Sequence, residues 1–414
     1  MRLQLLPGDG FPGVLGAPAA VADLKQLRLI YCRLTEAKDR LSKALLQLPA
    51  GLEHLSIESL KHAGAKSHHC DQLVRFPTCV LQQLQQLQQL TYLEIACMRL
   101  RGPDKASPAL QPLQALTRLV DLRLGRLGSL TFAVTASMLS GAQLLTRLQL
   151  KHCSIEPGVL SGKTQLQHLQ LSGCHMPGDN VGEEAQLLSL MQHMQQLTHL
   201  DVDDSLCAAE GDPPAAAYTA LTASSKLQQL NVSCCHLPTD VWQHMLPVGR
   251  QLPFLQHLDV SEVKQPGGAW ATPPQGTCLV SCCPGLQSLE WSFLRCSAEM
   301  LLSLQGLSGL HTLALAASDP VAAEAFHAVC QLAGLKGFSV RIPGKERGAL
   351  ALQLTQLKQL TSLQYCCSHV FGFKPLRLTC EVSFYPVNSF PCLLCLQCCA
   401  PTCCNRLSRQ HHQS

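Results

Sequence analysis

Charge is scarce in this sequence. Of its 414 residues, 14% are charged and 46% are hydrophobic. That excludes a highly charged disordered chain, which buries too little apolar surface to offset the entropy of ordering. The net charge is only +4, so no global field points to nucleic acid or to an anionic membrane. Long apolar runs are missing as well, and none approaches the roughly 18 residues of a membrane span. The apolar patch at the N-terminus is short and broken at once by Pro7, Gly8 and Gly10, which argues against a signal peptide. No nucleophile elbow, P-loop or zinc-protease helix is found, and Gly267-Gly268 is not set in a strand-to-helix phosphate cradle. These absences lead to the expectation of a soluble chain that is not an enzyme and takes no cofactor.

Cysteine, by contrast, is plentiful at 23 residues. Those up to Cys367 are scattered without even pairing, which suggests free thiols in a reducing, cytoplasmic compartment rather than a disulfide framework. Leucine is placed with a strict rhythm. Leu166, Leu169, Leu171, Cys174 and Met176 occupy the first, fourth, sixth, ninth and eleventh places of one stretch. Leu145, Leu148, Leu150, Cys153 and Ile155 repeat that spacing, as do Leu24, Leu27, Leu29, Cys32 and Leu34, and Leu227, Leu230, Val232, Cys235 and Leu237. Leu-x-Leu is strand alternation, both leucines facing one side. One such unit cannot bury its apolar side alone, so neighbours must stack.

This spacing resembles the L-x-x-L-x-L-x-x-N/C-x-L signature of leucine-rich repeat (LRR) proteins, over nearly the whole chain. Cys at the ninth place, Gln-rich segments and uneven repeat lengths resemble the intracellular LRR proteins of plants and green algae. The resemblance implies an α/β fold: a curved leucine-rich repeat solenoid with a parallel sheet on its concave face and helices or irregular legs on its convex face. The expected organisation is an irregular segment over 1–23, a solenoid over 24–375 and a Cys-rich tail over 376–414. Leu3 lies one repeat length before Leu27, so Arg2–Leu6 reads as the strand of a partial repeat. That weak first strand suggests a piece of a longer array. Between strands, Leu81, Leu84, Leu87 and Leu90 suggest an amphipathic helix, and Pro214–Ser224 and Ser297–Leu307 read similarly. Ser297, Asp240 and Asp319-Pro320 read as helix starts. The stretches 60–76, 178–184, 210–214 and 264–277 read as loops.

The third, fifth, seventh and eighth places should face solvent on the sheet. They carry Arg123, Arg126, Arg147, Lys151 and His152, with His168 in the following strand. Later they become Asp201, Asp203, Asp204, Asp259, Glu262 and Glu290. A docking face basic at first and acidic further on is expected, able to steer a partner of opposite sign. Ordinary solvated strand faces would look the same. Asp201, Asp203 and Asp204 lack the Gly and distal Glu of a calcium loop. His68, His69 and Cys70 lack tetrahedral zinc spacing.

In the tail, Cys392, Cys395, Cys398, Cys399, Cys403 and Cys404 offer two readings beside lipidation: a disordered or non-native extension, which is favoured, and a zinc knuckle. Elsewhere no metal is expected. By resemblance the chain is a monomeric, non-catalytic scaffold that binds a protein partner on its concave face. The alternatives are the substrate-recognition arm of a ubiquitin ligase, though no F-box is seen, a cytoskeletal component of the cilium axoneme, and a GTPase-activating LRR protein using Arg123 or Arg126.

Overall fold

The computed structural model describes residues 2–5, 23–31, 48–59, 74–77, 83–96, 98–101, 111, 113–125, 133–176, 182–207, 213–265, 274, 276–293, 298–317, 327–329, 331–343, 360–368 and 380–382. The chain divides into two units, Met1–Leu227 and Gln228–Ser414.

The first unit contains β1 (Arg2–Leu5), β2 (Gln26–Tyr31), β3 (His54–Ser59), β4 (Val74–Pro77), β5 (Tyr92–Ala96), β6 (Met98–Arg101), β7 (Asp121–Gly125), β8 (Ala133–Val134), β9 (Arg147–Lys151), β10 (Ser154–Ile155), β11 (His168–Gln170) and β12 (His199–Asp201). β1, β2, β3, β5, β7, β9, β11 and β12 lie side by side, every pair parallel. Their register stacks Leu27, Leu55, Leu93, Leu122, Leu148, Leu169 and Leu200 in one column, with Leu3 opposite Leu27. From Leu27 onward each of these is at most 2% exposed. Leu29, Ile57, Ile95, Leu124 and Leu150 form a second buried column, and the first-place leucines from Leu24 to Leu197 a third. Burying one such side chain contributes about 1.5–3 kcal/mol, so the aliphatic columns hold the coils together. β4 pairs with β6, and β8 with β10, in small parallel ladders outside the main sheet.

The return legs are mostly tight. Leu84, Leu87 and Leu90 are buried, and the helix expected there is a 3-10 helix, Gln83–Gln86. A spacing of three matches the three-residue turn of the 3-10 helix. Ala215–Thr222 is also 3-10. Conversely, the polar stretch read as a loop runs into an α-helix, α1 (Glu183–Met191), which buries Leu187, Leu188 and Met191. Glu183 and Glu184 sit in its first turn, where the helix dipole favours negative charge.

The second unit contains β13 (Gln229–Asn231), β14 (His257–Val260), β15 (Ser288–Phe293), β16 (Thr312–Ala317), β17 (Gly337–Pro343), β18 (Ser362–Ser368) and β19 (Cys380–Val382), with α2 (Val241–Met245), α3 (Gly276–Cys282) and α4 (Ala298–Leu302) on the return legs. β13 to β18 pair in parallel and in order. Leu230, Leu258, Leu289, Leu313 and Phe338 make one inward column, Val232, Val260, Trp291, Leu315 and Val340 the other. β19 pairs antiparallel with β18, so three residues of the segment expected as a disordered tail belong to the sheet. Asp240 precedes α2 with φ 64 and makes no side-chain cap bond, contrary to expectation, because its left-handed backbone replaces the extended cap geometry. Ser297 and Asp319-Pro320 lie outside the described residues, as does the tail from 383 onward. Each unit is thus a leucine-rich repeat solenoid of α/β class.

Candidate docking face

The turn leaving each strand sets which side chains can reach a partner. In consecutive coils the eighth place is left-handed: His152, Gly173, Asp204, Cys234 and Glu262 have φ 51, 62, 52, 57 and 54. The fifth place supports that turn with its side chain. Asp201 Oδ1 accepts the Asp203 N–H at 3.0 Å, Asn231 Oδ1 the Ser233 N–H at 2.9 Å, and Asp259 Oδ1 the Ser261 N–H at 2.9 Å. These are Asx turns, in which a short carboxylate or amide satisfies a backbone donor two residues on. At the ninth place the buried Cys174 thiol donates to the Leu150 carbonyl at 3.3 Å, and the Ser205 hydroxyl to that of Leu171. Both reach the preceding coil. The backbone N–H of Cys174 in turn donates to Ser205 Oγ at 3.1 Å. Burial pushes the thiols of Cys153 and Cys174 up to about 12.

Two outward columns cross the strands of the first unit. The third-place column runs Gln26, His54, Tyr92, Asp121, Arg147, His168, His199. The fifth-place column runs Arg28, Ser56, Glu94, Arg123, Gln149, Gln170, Asp201. Their polar groups are largely bonded to one another. Arg28 is bidentate on Glu58, at 3.0 and 3.2 Å. The single Ser56 hydroxyl hydrogen has two acceptors in reach, Glu58 at 2.8 Å and Glu94 at 3.0 Å, and Tyr92 donates to Glu94 at 2.7 Å. Arg123 is bidentate on Asp121, at 3.1 and 3.0 Å, and its guanidinium lies 5.2 Å from the Tyr92 ring centroid. Burial works against the Glu58 carboxylate, but the Arg28 and Ser56 hydrogen bonds outweigh it and hold its pKa below the usual range. Burial and the bond to Glu94 push the Tyr92 phenol up. A concavity of about 410 Å³ opens over this cluster, lined by Arg28, Ser56, Glu58, Tyr92, Glu94 and Arg123 among others.

Arg123, Arg147, Lys151 and His168 do stand on the outward side of β7, β9 and β11. The basic face expected over these strands is mixed in sign, because Asp121 pairs with Arg123 at 3.0 Å and with Arg147 at 3.5 Å. Arg126 lies outside the described residues. The His168 and His199 rings are 5.1 Å apart, and burial, then Arg147 and His199, push His168 down to about 4. Asp201 accepts from Gln170 Nε2 at 2.6 Å and from Ser172 Oγ at 3.1 Å. Asp204 is exposed. In the second unit Asp259 stands opposite Glu290 in register, and desolvation followed by the Asp259 charge raises the Glu290 pKa. Glu262 Oε2 lies 3.9 Å from Cys234 Sγ. Arg28, Ser56, Glu58, Tyr92 and Glu94 were not singled out from sequence. They occupy the same outward places as the residues that were, in the repeats beginning at Leu24, Leu52 and Leu90.

Among the described residues no group of three or more His, Cys, Asp or Glu is gathered as for a metal ion, and no helix is long and apolar enough to cross a membrane. The tail cysteines Cys392, Cys395, Cys398, Cys399, Cys403 and Cys404 fall outside the described residues.

No family model matches the sequence, and none of the curated proteins is similar to it at a significant level. Among solved structures, an internalin from Listeria monocytogenes is similar, with 14% identity, 88% of this chain and 94% of that chain covered, and a TM-score of 0.49. The repeat architecture described above rests on the chain's own parallel ladders and buried leucines.

Proposed function

We propose that the chain is a non-catalytic scaffold that binds a protein partner on the outward face of its parallel sheet. The observation that carries this is the pair of outward columns on the first unit. Side chains from successive strands are held at fixed spacing, each fifth-place residue between two buried aliphatic side chains and each third-place residue beside one. A face already ordered loses little side-chain entropy on binding. Its internal bonds, Arg28 to Glu58 and Arg123 to Asp121, fix the orientation of long side chains that would otherwise be mobile. Cytoplasmic location, and the plant and green-algal intracellular type, fit free buried cysteines such as Cys153 and Cys174.

The test is affinity capture with the wild-type chain and with two variants. Gln149→Arg combined with Gln170→Arg changes the face; Gln192→Arg combined with Gln195→Arg changes exposed positions after α1. A partner lost only by the first pair supports the reading. A partner lost only by the second, or by neither, opposes it. The identity of the partner sorts the finer roles: ubiquitin-ligase adaptors, tubulin and dynein parts of an axoneme, or a small GTPase.

A further inference from the structure

A small ladder beside the main sheet of the first unit gathers charge of one sign. β6 opens two residues after β5 ends, at the ninth to twelfth places of the repeat that begins at Leu90, and it pairs with β4 from the preceding repeat. The parallel register sets Val74 against Met98, Arg75 against Arg99, Phe76 against Leu100 and Pro77 against Arg101. Alternation therefore puts Val74, Phe76, Met98 and Leu100 on one face of the ladder, and Arg75, Arg99 and Arg101 on the other. Arg75 and Arg99 are one strand spacing apart, about 4.8 Å, and Arg99 and Arg101 are about 6.6 Å apart along β6. The ladder itself contains no acidic residue. Like charges set directly opposite one another destabilise a sheet, and nothing within the ladder offsets them. The main sheet is different, because there Arg28, Arg123 and Arg147 stand with Glu58, Glu94 and Asp121. Between residues 60 and 105 the sequence holds six basic residues and three acidic ones, and Glu94 is one of the three.

We propose that the arginine face of this ladder docks an extended acidic segment of a protein partner, one with carboxylates two residues apart. Alternate residues of an extended chain share a face and repeat about every 6.6 Å, which is the spacing of Arg99 and Arg101. A carboxylate matched to Arg99 therefore brings the next one to Arg101, with Arg75 one strand spacing to the side. Opposite charges then replace the repulsion between Arg75 and Arg99. Nucleic acid fits this surface less well. Its binding sites neutralise many phosphates along a basic track, with bases stacked on aromatic residues. The ladder offers three arginines, and its one aromatic residue, Phe76, is on the opposite face. The proposed surface is separate from the outward columns of the main sheet, so it stands or falls independently of the docking-face reading above.

Fluorescence anisotropy with the full chain tests this. The probe is a labelled octapeptide that alternates valine and glutamate. The comparisons are a block peptide of the same composition, with all its glutamates before its valines, an alternating valine and glutamine peptide, and a short DNA duplex. The alternating acidic peptide is expected to bind more tightly than all three, and less tightly as salt rises. Arg99→Gln combined with Arg101→Gln should weaken that binding about fivefold, the worth of two cross-strand charge pairs. Lys226→Gln, at an exposed position in a later coil, should change nothing. The comparison of peptides uses the wild type alone, so it decides the outcome even where melting shows that a substitution disturbs the fold. Equal binding of the block or glutamine peptide, binding of none of them, or an equal effect of the Arg99 and Arg101 pair and of Lys226→Gln overturns the proposal. Tighter binding of the duplex overturns the protein source.

Discussion

Lys163 is 3% exposed. It stands three residues before Leu166, where other coils place Ala142, Met194, Leu252 or Leu307. Burial lowers its pKa, so the unfolded chain holds this proton more tightly than the folded one. Stability must then rise as pH climbs toward the ordinary lysine value of 10.5, where the charge is lost in both states. Lys163→Met should remove that rise and stabilise the protein at neutral pH by about 1 kcal/mol, read from denaturant melts. His168 has the same sign at lower pH. Its folded value of about 4 lies beneath the ordinary 6.5. The wild type should lose stability as pH falls from 6.5 toward 4, and His168→Gln should lose less over that window. Parallel curves for the two proteins would mean that His168 is not held in its neutral form by burial and its cationic neighbours.

At the scale of the coil, the strand is held by leucines but its exit is held by the turn. Gly173 has φ +62, and an added Cβ would run into the His152 ring of the preceding coil. Gly173→Ala should therefore cost about 1–2 kcal/mol for the left-handed backbone alone, with more for the contact. Asp259→Ala removes the acceptor of the Ser261 N–H and hydroxyl and should cost about 1 kcal/mol. Asp259→Asn should be close to neutral, since Asn231 does the same work one coil earlier. These turns explain what the sequence made legible and what it did not. Alternation of leucines announces strands, and the spacings that begin at Leu24, Leu145, Leu166 and Leu227 fall on β2, β9, β11 and β13. The third and fifth places of β5, β7 and β9 face outward for the same reason: period two leaves no choice of face. What acidic residues do at those places was hidden. Asp201 and Asp259 looked like free surface charge, yet each closes a turn. That role depends on a backbone N–H two residues away rather than on composition. The ion-paired Arg28 and Glu58 are 30 positions apart, a proximity that only the register of neighbouring coils creates.

For the molecule as a whole, stacking makes stability a sum of nearest-neighbour terms. Leu169→Ala or Leu171→Ala should cost about 2–5 kcal/mol. Hydrogen exchange should quicken first in β9, β11 and β12, the strands at and beside the cavity, and only later in β2 and β3. Uniform loss of protection along the first unit would mean that its coils do not behave as independent neighbours. A frame of this kind leaves one extended face on which to change side chains without disturbing the core. The central claim is that this face is where a partner sits. Its most direct test is photo-crosslinking with benzoyl-phenylalanine placed at Gln149, on the outward side of β9, or at Gln192, exposed just after α1. A captured partner should cross-link through Gln149 and not through Gln192; cross-linking through Gln192 alone would contradict a docking face on the sheet.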